Sequence, residues 1–336
     1  MILKCKQKRL RKKIIKLYAE QPNSPEAFVL QRKLLMLATK GTNTLYRFRP
    51  NNDYTLQEIS TGLMYCSHPK DFNDSYDSNF GQGVFNLAKA LWKMLIKGKM
   101  SFPDVRKVQD VQVSNPQVLK NAIDSAIQTT PNVDDSDWFF DYLENYAKKF
   151  NSPTLQQDVQ TFKNMLQSYH ALINDTINDM CFLGCLAIDC FNLLMWSHYA
   201  SNEKGICIAY DFSDEEYFKQ HSSILPIIYY NKRPQIPWES CLAYYDNPQA
   251  ILGEVTEGLL TKSKAWEYEQ EWRVIVPKDA GQYFKMPPIK CIYLGNKIEA
   301  DYKQKVLDIA RERNIPVYQM HLNSTSYTLV SKLIEN

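Results

Sequence analysis

The stretch Leu45-Tyr46-Arg47-Phe48-Arg49 alternates between apolar and basic side chains and stops at Pro50. A period of two is typical of a β-strand, and proline rarely continues a strand inside a sheet. A second run, Leu63-Met64-Tyr65-Cys66-Ser67, ends in the same way before His68-Pro69. Between the two runs, residues 55–61 have the length of a short helix that closes at Gly62. This part of the chain predicts a strand, a helix and a strand.

The pattern changes to helical spacing from about residue 85 to residue 180. Helix starts or turns are indicated at Ser101-Phe102-Pro103, Ser114-Asn115-Pro116, Ser136 and Ser152-Pro153. β-like runs return at residues 180–187, 205–212, 224–230, 272–276, 289–294 and 316–320, with a helix near residues 300–313. The prediction is an α+β fold with a mixed or split β-sheet core and a large all-helical insertion. The predicted domains are a helical arm at 1–41, a body formed by 42–84 and 181–336, and the insertion at 85–180.

The composition of the 336 residues, 44% hydrophobic and 23% charged, excludes a disordered chain. We find no run of about 18 apolar residues and no apolar run after the N-terminal basic residues, so neither a membrane span nor a secretory signal is predicted. The expected location is the cytoplasm. The eight cysteines mostly lie in apolar segments, which favours buried thiols over a disulfide framework or a metal site.

The N-terminal arm is basic. Eight basic residues within residues 4–16 precede the first acid, Glu20, so the rest of the chain is mildly acidic. Leu10, Ile14 and Leu17 recur at helical spacing among them. The arm is either a solvated helix packed by one apolar stripe or a basic amphipathic helix that binds nucleic acid or an anionic membrane. A second helix is indicated by Ser24 as N-cap and Pro25 at its first position.

Alternation sends Arg47 and Arg49 to one face of their strand, about 7 Å apart. Two guanidinium groups this close need an anion between them, and a pyrophosphate meets this need through charge-assisted, bidentate bonds. Local carboxylates holding the pair are the alternative.

Three further segments carry candidate chemistry. The loop after Tyr65 and Ser67 contains Asn73, and Asx turns there can place side chains rigidly. Trp196, His198 and Tyr199 precede a strand and are suited to form aromatic walls for a flat heterocycle. The run Trp266-Glu267-Tyr268-Glu269-Gln270-Glu271-Trp272-Arg273, if extended, places its glutamates and Arg273 on one face. Such close carboxylates raise one another's pKa unless a cation lies among them.

Together these segments resemble the DUF2971 family of mainly bacterial proteins without an assigned activity. The resemblance runs from about Leu45 to Leu294 and is most specific in Met195-Trp196-Ser197-His198-Tyr199, in Gly205-Ile206-Cys207-Ile208-Ala209-Tyr210-Asp211, and in Trp266 through Arg273.

A second resemblance is to the R-S-E pattern of ADP-ribosyltransferases, through Arg47 or Arg49, Ser67, and Glu269-x-Glu271. It implies an ADP-ribosyltransferase-like sheet and a glycosyl-transferring enzyme that cleaves the nicotinamide–ribose bond of NAD. Glu271 and Glu269 would then be catalytic: Glu271 would accept a hydrogen bond from the ribose 2′-OH, and Glu269 would orient or deprotonate the acceptor. The residues expected to bind NAD are Arg47, Arg49, Tyr65, Ser67, Asn73, Trp196, His198 and Tyr199. The acceptor would be a macromolecule such as nucleic acid, and the setting phage defence or toxin action; no metal is required.

Two other functions remain open at the level of sequence. A metal-dependent nuclease would gather Asp71, Asp74, Glu269 and Glu271 on Mg²⁺, with Arg273 on phosphate. A non-catalytic module would use the same aromatic pocket to sense a nucleotide.

Overall fold

The structure is a computed structural model that describes residues 2–21, 24–79, 114–129, 136–221, 223–234 and 252–335. The chain divides into two compact units. The first comprises Met1–Ser78, Asp179–Arg233 and Leu259–Asn336, and the second comprises Asn79–Asn178 and Pro234–Gly258.

The α-helices of the described residues are α1 (Ile2–Glu20), α2 (Pro25–Ala38), α3 (Asp53–Thr61), α4 (Pro116–Thr129), α5 (Ser136–Lys149), α6 (Pro153–Asn178), α7 (Leu193–Tyr199), α8 (Glu215–Gln220), α9 (Leu252–Leu259) and α10 (Ala300–Glu312). None of them is long and apolar enough to cross a membrane.

The strands of the described residues are β1 (Thr44–Arg49), β2 (Leu63–Tyr65), β3 (Cys181–Leu186), β4 (Ile206–Asp211), β5 (Ile224–Pro226), β6 (Ile228–Tyr230), β7 (Thr261–Ser263), β8 (Trp272–Pro277), β9 (Tyr283–Lys285), β10 (Ile289–Leu294), β11 (Val317–Leu322) and β12 (Leu329–Glu335). The alternating and apolar runs of the sequence therefore form strands as predicted, and the α+β class is confirmed.

The largest sheet of the first unit has the strand order β1-β4-β10-β11-β12. All neighbours in it are antiparallel except β10 and β11, which are parallel and are connected by α10. A parallel pair requires such a crossover, because a tight turn can only reverse the chain. The mixed sheet predicted from the sequence is thus present.

Smaller sheets complete the first unit: β3-β8-β5 and β2-β9 are antiparallel, and β6-β7 is parallel. Two isolated β-bridges connect β3 and the residue after it to β1 and to the loop after β2. Tyr46 exchanges backbone hydrogen bonds with Ala187, just after β3, and Ser67 exchanges them with Leu183 inside β3. Strand β3 is therefore the element at which β1 and the loop after β2 meet the sheet that contains β8.

Both faces of β4 are covered. Ile206, Ile208 and Tyr210 belong to one buried cluster, while the intervening Cys207 packs in a second cluster with Phe48. Each large apolar side chain buried in this way stabilises the fold by about 1.5–3 kcal/mol relative to an exposed one. The sheet is fixed on both sides, which gives the adjoining site a rigid support.

Helices α1 and α2 pack on this core. Ile14 and Ile15 of α1 are buried, while Lys12, Lys13 and Lys16 are exposed. Helix α2 begins as predicted, because the Ser24 hydroxyl accepts a hydrogen bond from the backbone N–H of Ala27 at 3.0 Å. The apolar stripe of the arm is therefore packed, and these lysines lie on its exposed face.

In the second unit, α4, α5 and α6 pack against one another through apolar faces that include Leu119, Phe139 and Leu155. Asp158 accepts hydrogen bonds from the backbone N–H groups of Ser114 and Asn115, at 2.8 and 2.9 Å. A carboxylate there is favourable, because the start of α4 has unpaired N–H groups and a positive dipole end. The helix start predicted at Ser101-Phe102-Pro103 lies outside the described residues.

Candidate functional site

The first wall of the site is formed by the arginines of β1 and by Glu58. Helix α3 starts at the N-cap Asn52 and places the Glu58 carboxylate in the interior, 2% exposed. Glu58 Oε1 lies 3.0 Å from Nε of Arg47, and Oε2 lies 3.1 Å from Nε of Arg49. Tyr210 donates a further hydrogen bond to Oε1 at 2.9 Å. A local carboxylate therefore lies between the two guanidinium groups, which is the alternative to a pyrophosphate in that position.

Arg47 and Arg49 differ in what remains free. Arg47 is buried and donates its Nη groups to the carbonyl oxygens of Cys185 and Tyr65, at 3.3 and 2.9 Å. Burial opposes its charge, yet the Glu58 carboxylate raises the pKa of Arg47. Burial and the neighbouring Arg47 lower the pKa of Arg49, whose Nη groups have no hydrogen-bond partner in the described part of the chain. Arg49 is the better candidate to bind an anion.

The second wall is acidic and does not follow the extended geometry considered from the sequence. Residues Lys264–Glu269 form a 3-10 helix, Gln270 is left-handed with φ +46°, and β8 begins at Trp272. The prediction that the glutamates and Arg273 share one face of an extended strand is therefore wrong. Glu267 is exposed, whereas Glu269 and Glu271 are each 3% exposed.

Glu271 is held in its ionised form. Its carboxylate accepts hydrogen bonds from Nε of Arg273 at 2.6 Å and from Nζ of Lys262 at 3.2 Å. Arg273 Nη2 also donates to it at 3.3 Å. Burial opposes ionisation, but Arg273 and Lys262 lower the pKa of Glu271 to about 2.

Arg273 extends the network to the loop after β2. It is completely buried and donates to Asp77 Oδ2 at 2.5 Å, to Ser78 Oγ at 3.1 Å and to the carbonyl oxygen of Leu259 at 2.7 Å. Burial alone would lower its pKa, but Asp77 and Glu271 raise it well above the ordinary value. Arg273 is thus a structural cation that ties together distant parts of the first unit.

Lys262, on β7, was not identified from the sequence. Its ammonium lies 2.6 Å from Glu269 Oε2, 3.2 Å from Glu271 Oε2 and 3.4 Å from Asp77 Oδ2. Burial lowers its pKa, but the surrounding carboxylates raise it on balance. The requirement for a cation among close carboxylates was a signal for such a residue, although it did not indicate which lysine.

Glu269 receives its other hydrogen bond from α7. The Tyr199 hydroxyl donates to Glu269 Oε1 at 2.6 Å. Burial and the Glu271 carboxylate raise the pKa of Glu269, against the opposing effect of Lys262. Burial likewise raises the pKa of Tyr199, so its hydroxyl stays protonated and can donate.

A cavity of about 340 Å³ joins the two walls. Its size lies at the lower end of the range for small-molecule sites. Eight of the residues predicted for the NAD site line it: Arg47, Arg49, Ser67, Asn73, His198, Tyr199, Glu269 and Glu271. Asp71, which the sequence proposed for a nuclease, lines it as well, as do Asp77 and Lys262. The early arginines and the late glutamates therefore meet at one cavity.

Two predicted site residues lie elsewhere. Trp196 is 1% exposed, donates its indole N–H to the carbonyl oxygen of Cys190 at 2.7 Å, and packs edge-on against Phe48. Tyr65 contributes its backbone carbonyl to Arg47, while its ring contacts Tyr283. Neither side chain is among those that line the cavity.

Aromatic rings at the rim come instead from the segment before Glu269. The exposed His198 ring lies 6.2 Å from Trp266 and 6.4 Å from Tyr268, both of which are half-buried. The Asn192 side chain caps α7 and donates to the carbonyl oxygen of Tyr268 at 2.8 Å. Helix α7 and the 3-10 helix are thereby held together at the rim.

The loop after β2 contributes polar groups. Asp74 Oδ1 accepts from the backbone N–H of Tyr76 at 2.9 Å, which is an Asx turn. Ser67, Asn73 and Asp77 line the cavity, and the Asp77 carboxylate also pairs with Arg273. Among the described residues, no group of three or more His, Cys, Asp or Glu side chains has the geometry to hold a metal ion.

Comparison with known proteins adds one finding. A search of curated proteins and a search of solved structures each returned no match. Residues 195–274, which run from the start of the Met195-Trp196-Ser197-His198-Tyr199 motif into β8, match the model of the family described as "Protein of unknown function (DUF2971)".

Proposed function

We propose that this protein is an ADP-ribosyltransferase-like enzyme that binds NAD and breaks its nicotinamide–ribose bond. The observation that carries the proposal is the bipolar cavity, with the open guanidinium of Arg49 on one wall and the buried carboxylate of Glu269 on the other. A ligand with phosphates at one end and ribose hydroxyl groups at the other complements these two walls.

The phosphates would bind Arg49 and Ser67. Both line the cavity, and neither the Arg49 Nη groups nor the Ser67 hydroxyl has a hydrogen-bond partner among the described side chains. Arginine offers paired donors to phosphate oxygens, and a serine hydroxyl adds one more.

The count of donors distinguishes the two glutamates. A carboxylate has about four lone-pair sites. Glu271 already accepts three hydrogen bonds, one from Lys262 and two from Arg273, whereas Glu269 accepts two, from Tyr199 and Lys262. The sequence favoured Glu271 for the ribose contact; the free lone pairs favour Glu269, with Glu271 supplying fixed negative charge behind it.

In the reaction, the bond between the ribose C1′ and the nicotinamide nitrogen breaks, and its electron pair leaves with neutral nicotinamide. A hydrogen bond from a ribose hydroxyl to Glu269 stabilises the oxocarbenium character that develops at C1′. The acceptor forms the new bond to C1′ and releases a proton. The raised pKa of Glu269 suits it to take that proton.

The test is release of nicotinamide from NAD, followed by mass spectrometry, with cellular RNA, DNA and protein as acceptors. We expect Glu269→Gln to reduce turnover by about 10²–10⁴-fold, the range for loss of a general base. Lys204→Met, which removes an exposed cation paired with Glu299, is the matched control and should keep full turnover. Absence of nicotinamide release from the wild type would remove the proposal.

A non-catalytic nucleotide sensor is the second candidate, because the paired Glu271 and Lys262 form a complete ion network without a ligand. Stabilisation by NAD against heat, without nicotinamide release, would identify this function. The metal-dependent nuclease has less support, since the Lys262 ammonium lies between the acids that would have to share a metal.

We further propose a nucleic acid as the acceptor, bound by α1 in the cytoplasm, in a setting such as phage defence or toxin action. Helix α1 exposes Arg9, Lys12, Lys13 and Lys16. Phosphate contacts by such residues make binding fall steeply with salt. Binding of RNA or DNA with a salt slope that decreases in Lys13→Glu and Lys16→Glu variants would support this role.

A further inference from the structure

Lys262 has an unusual position for a lysine. Strand β7 places its side chain, 5% exposed, between Glu269, Glu271 and Asp77, with Nζ 5.1 Å from the ring centre of Trp266. Burying an ammonium is costly unless carboxylates surround it, and here three do. The same ammonium borders the cavity.

The other buried cation of the network, Arg273, does not replace it. Arg273 pairs with Asp77 and Glu271, so these two acids keep a cation when Lys262 is removed. Within the described residues, the cation in ion-pair distance of Glu269 is Lys262. Loss of Lys262 therefore affects Glu269 more than either of the other acids.

The hydrogen bonds of Glu269 also fix its direction. Tyr199 takes Oε1 and Lys262 takes Oε2, one donor on each oxygen at 2.6 Å. With both oxygens held, the carboxylate plane cannot rotate without breaking a short hydrogen bond, and the remaining lone pairs are free for a ligand.

We propose that Lys262 is the positioning residue of this site: it keeps Glu269 ionised and oriented at the cavity, whereas Glu271 depends mainly on Arg273. The inference rests on the proposed function for its catalytic meaning, but its effect on Glu269 can be measured without any reaction.

The titratable groups that act on Glu269 come from four elements. They are Tyr199 on α7, Tyr229 on β6, Lys262 on β7, and Tyr268 and Glu271 from the segment around the 3-10 helix. The tyrosines stay neutral because burial raises their pKa. Lys262 and Glu271 are the charged neighbours, with opposite effects on the Glu269 carboxyl.

The experiment compares wild type with Lys262→Met, which removes the charge, and Lys262→Arg, which retains it. Protonation of Glu269 is followed against pH by the infrared band of its neutral carboxyl group, assigned by its loss in Glu269→Gln. We expect the titration midpoint to rise by about 1–3 pH units in Lys262→Met, the effect of removing an opposite charge at this distance. In Lys262→Arg the Glu269 midpoint should lie close to the wild-type value, and in Lys204→Met it should equal the wild-type value.

The acid limb of kcat/KM for NAD cleavage should move with the same midpoint. An unchanged Glu269 midpoint in Lys262→Met would overturn the proposal, whatever the turnover. A raised midpoint without nicotinamide release from the wild type would support the action of Lys262 on Glu269 and overturn the NAD reaction. If Lys262→Met does not fold, Lys262→Gln, uncharged but able to donate a hydrogen bond, gives the same test.

Discussion

Glu58 gives two neighbouring arginines of one strand different tasks. Its carboxylate accepts a hydrogen bond from Nε of Arg47 and forms an ion pair with Arg49. Arg47 also donates to two backbone carbonyl groups, while the Nη groups of Arg49 remain without hydrogen-bond partners in the described chain. This cluster of three charged side chains therefore stabilises the fold through Arg47 and offers a candidate anion site at Arg49.

These different contacts predict that the same substitution affects stability at Arg47 and ligand affinity at Arg49. Arg47→Met should lower the free energy of unfolding by about 3 kcal/mol, because it breaks a buried ion pair and leaves two carbonyl groups unpaired. Arg49→Met should have a free energy of unfolding closer to that of the wild type, but a lower affinity for NAD. Urea denaturation of both variants measures the free energy of unfolding, and calorimetric titration with NAD measures the affinity. Equal NAD affinity in Arg49→Met and wild type would contradict the assignment of Arg49.

Glu271 predicts the acid sensitivity of the fold. Its pKa is about 2 in the folded protein and about 4.5 ordinarily, so the folded state binds its proton less readily than the unfolded state. The resulting stabilisation is complete above about pH 4.5 and is lost as the pH falls towards 2. It amounts to about 3 kcal/mol. Chemical denaturation between pH 6 and pH 3 should show a smaller loss of stability in Glu271→Gln than in wild type. Parallel pH curves for the two proteins would disprove this assignment.

The partners of these residues explain what the sequence could reveal. The candidate residues Arg49, Glu269 and Glu271 stand out because their charges recur within a few positions. Glu58 and Lys262 are single charged residues in ordinary surroundings, and the fold alone brings them to the arginines and the glutamates. Local patterns identified the charges that need partners, but not the partners.

At the scale of elements, the turn between α7 and β4 places the Arg49 strand beside the site. Ser201, Asn202 and Glu203 have φ of +49°, +54° and +70°, a conformation that non-glycine residues rarely adopt. A Cβ at Gly205 would lie 2.1 Å from the carbonyl oxygen of Arg49. The glycine of this motif is thus explained by close contact between two backbones.

Gly205→Ala should therefore destabilise the protein by about 1–3 kcal/mol, because the atoms in the way are backbone and cannot rotate aside. It should also weaken NAD binding by displacing Arg49. The control is Gly41→Ala, whose φ is +87° and whose added Cβ meets nothing within 4 Å. Its cost should be confined to backbone strain of about 1 kcal/mol, with NAD affinity unchanged. Thermal unfolding and NAD titration compare the two, and equal effects on both properties would argue against the contact.

Regular elements were predictable where their period was regular. Strand β1 follows the alternation of its residues, and α3 ends before Gly62 as expected. The segment before β8 was not predicted, because Glu267, Glu269 and Glu271 alternate as a strand would, yet the chain forms a 3-10 helix with left-handed Gln270. Tertiary bonds to Lys262, Tyr199 and Arg273 determine that local structure.

At the scale of the molecule, the site depends on segments far apart in the sequence that meet in the first unit. Its residues come from β1, from the loop after β2, from β3, from α7, and from β7 and the segment between β7 and β8. Such non-local contacts form together or not at all when a domain folds cooperatively. Opening of this unit should then expose all of its interior in one step.

Six cysteines whose side chains are described test that cooperativity, since all of them lie in the first unit: Cys66, Cys181, Cys185, Cys190, Cys207 and Cys291. Burial raises the thiol pKa of every one, to about 12 for Cys66, Cys181 and Cys190, so the reactive thiolate is scarce in the native state. Alkylation at pH 8, followed by peptide mass spectrometry, should modify these six thiols slowly and at a common rate set by opening of the unit. A ligand that binds the cavity should slow all six equally. Fast modification of Cys185 alone, next to Glu271, would show instead that the site opens locally while the rest of the unit stays folded.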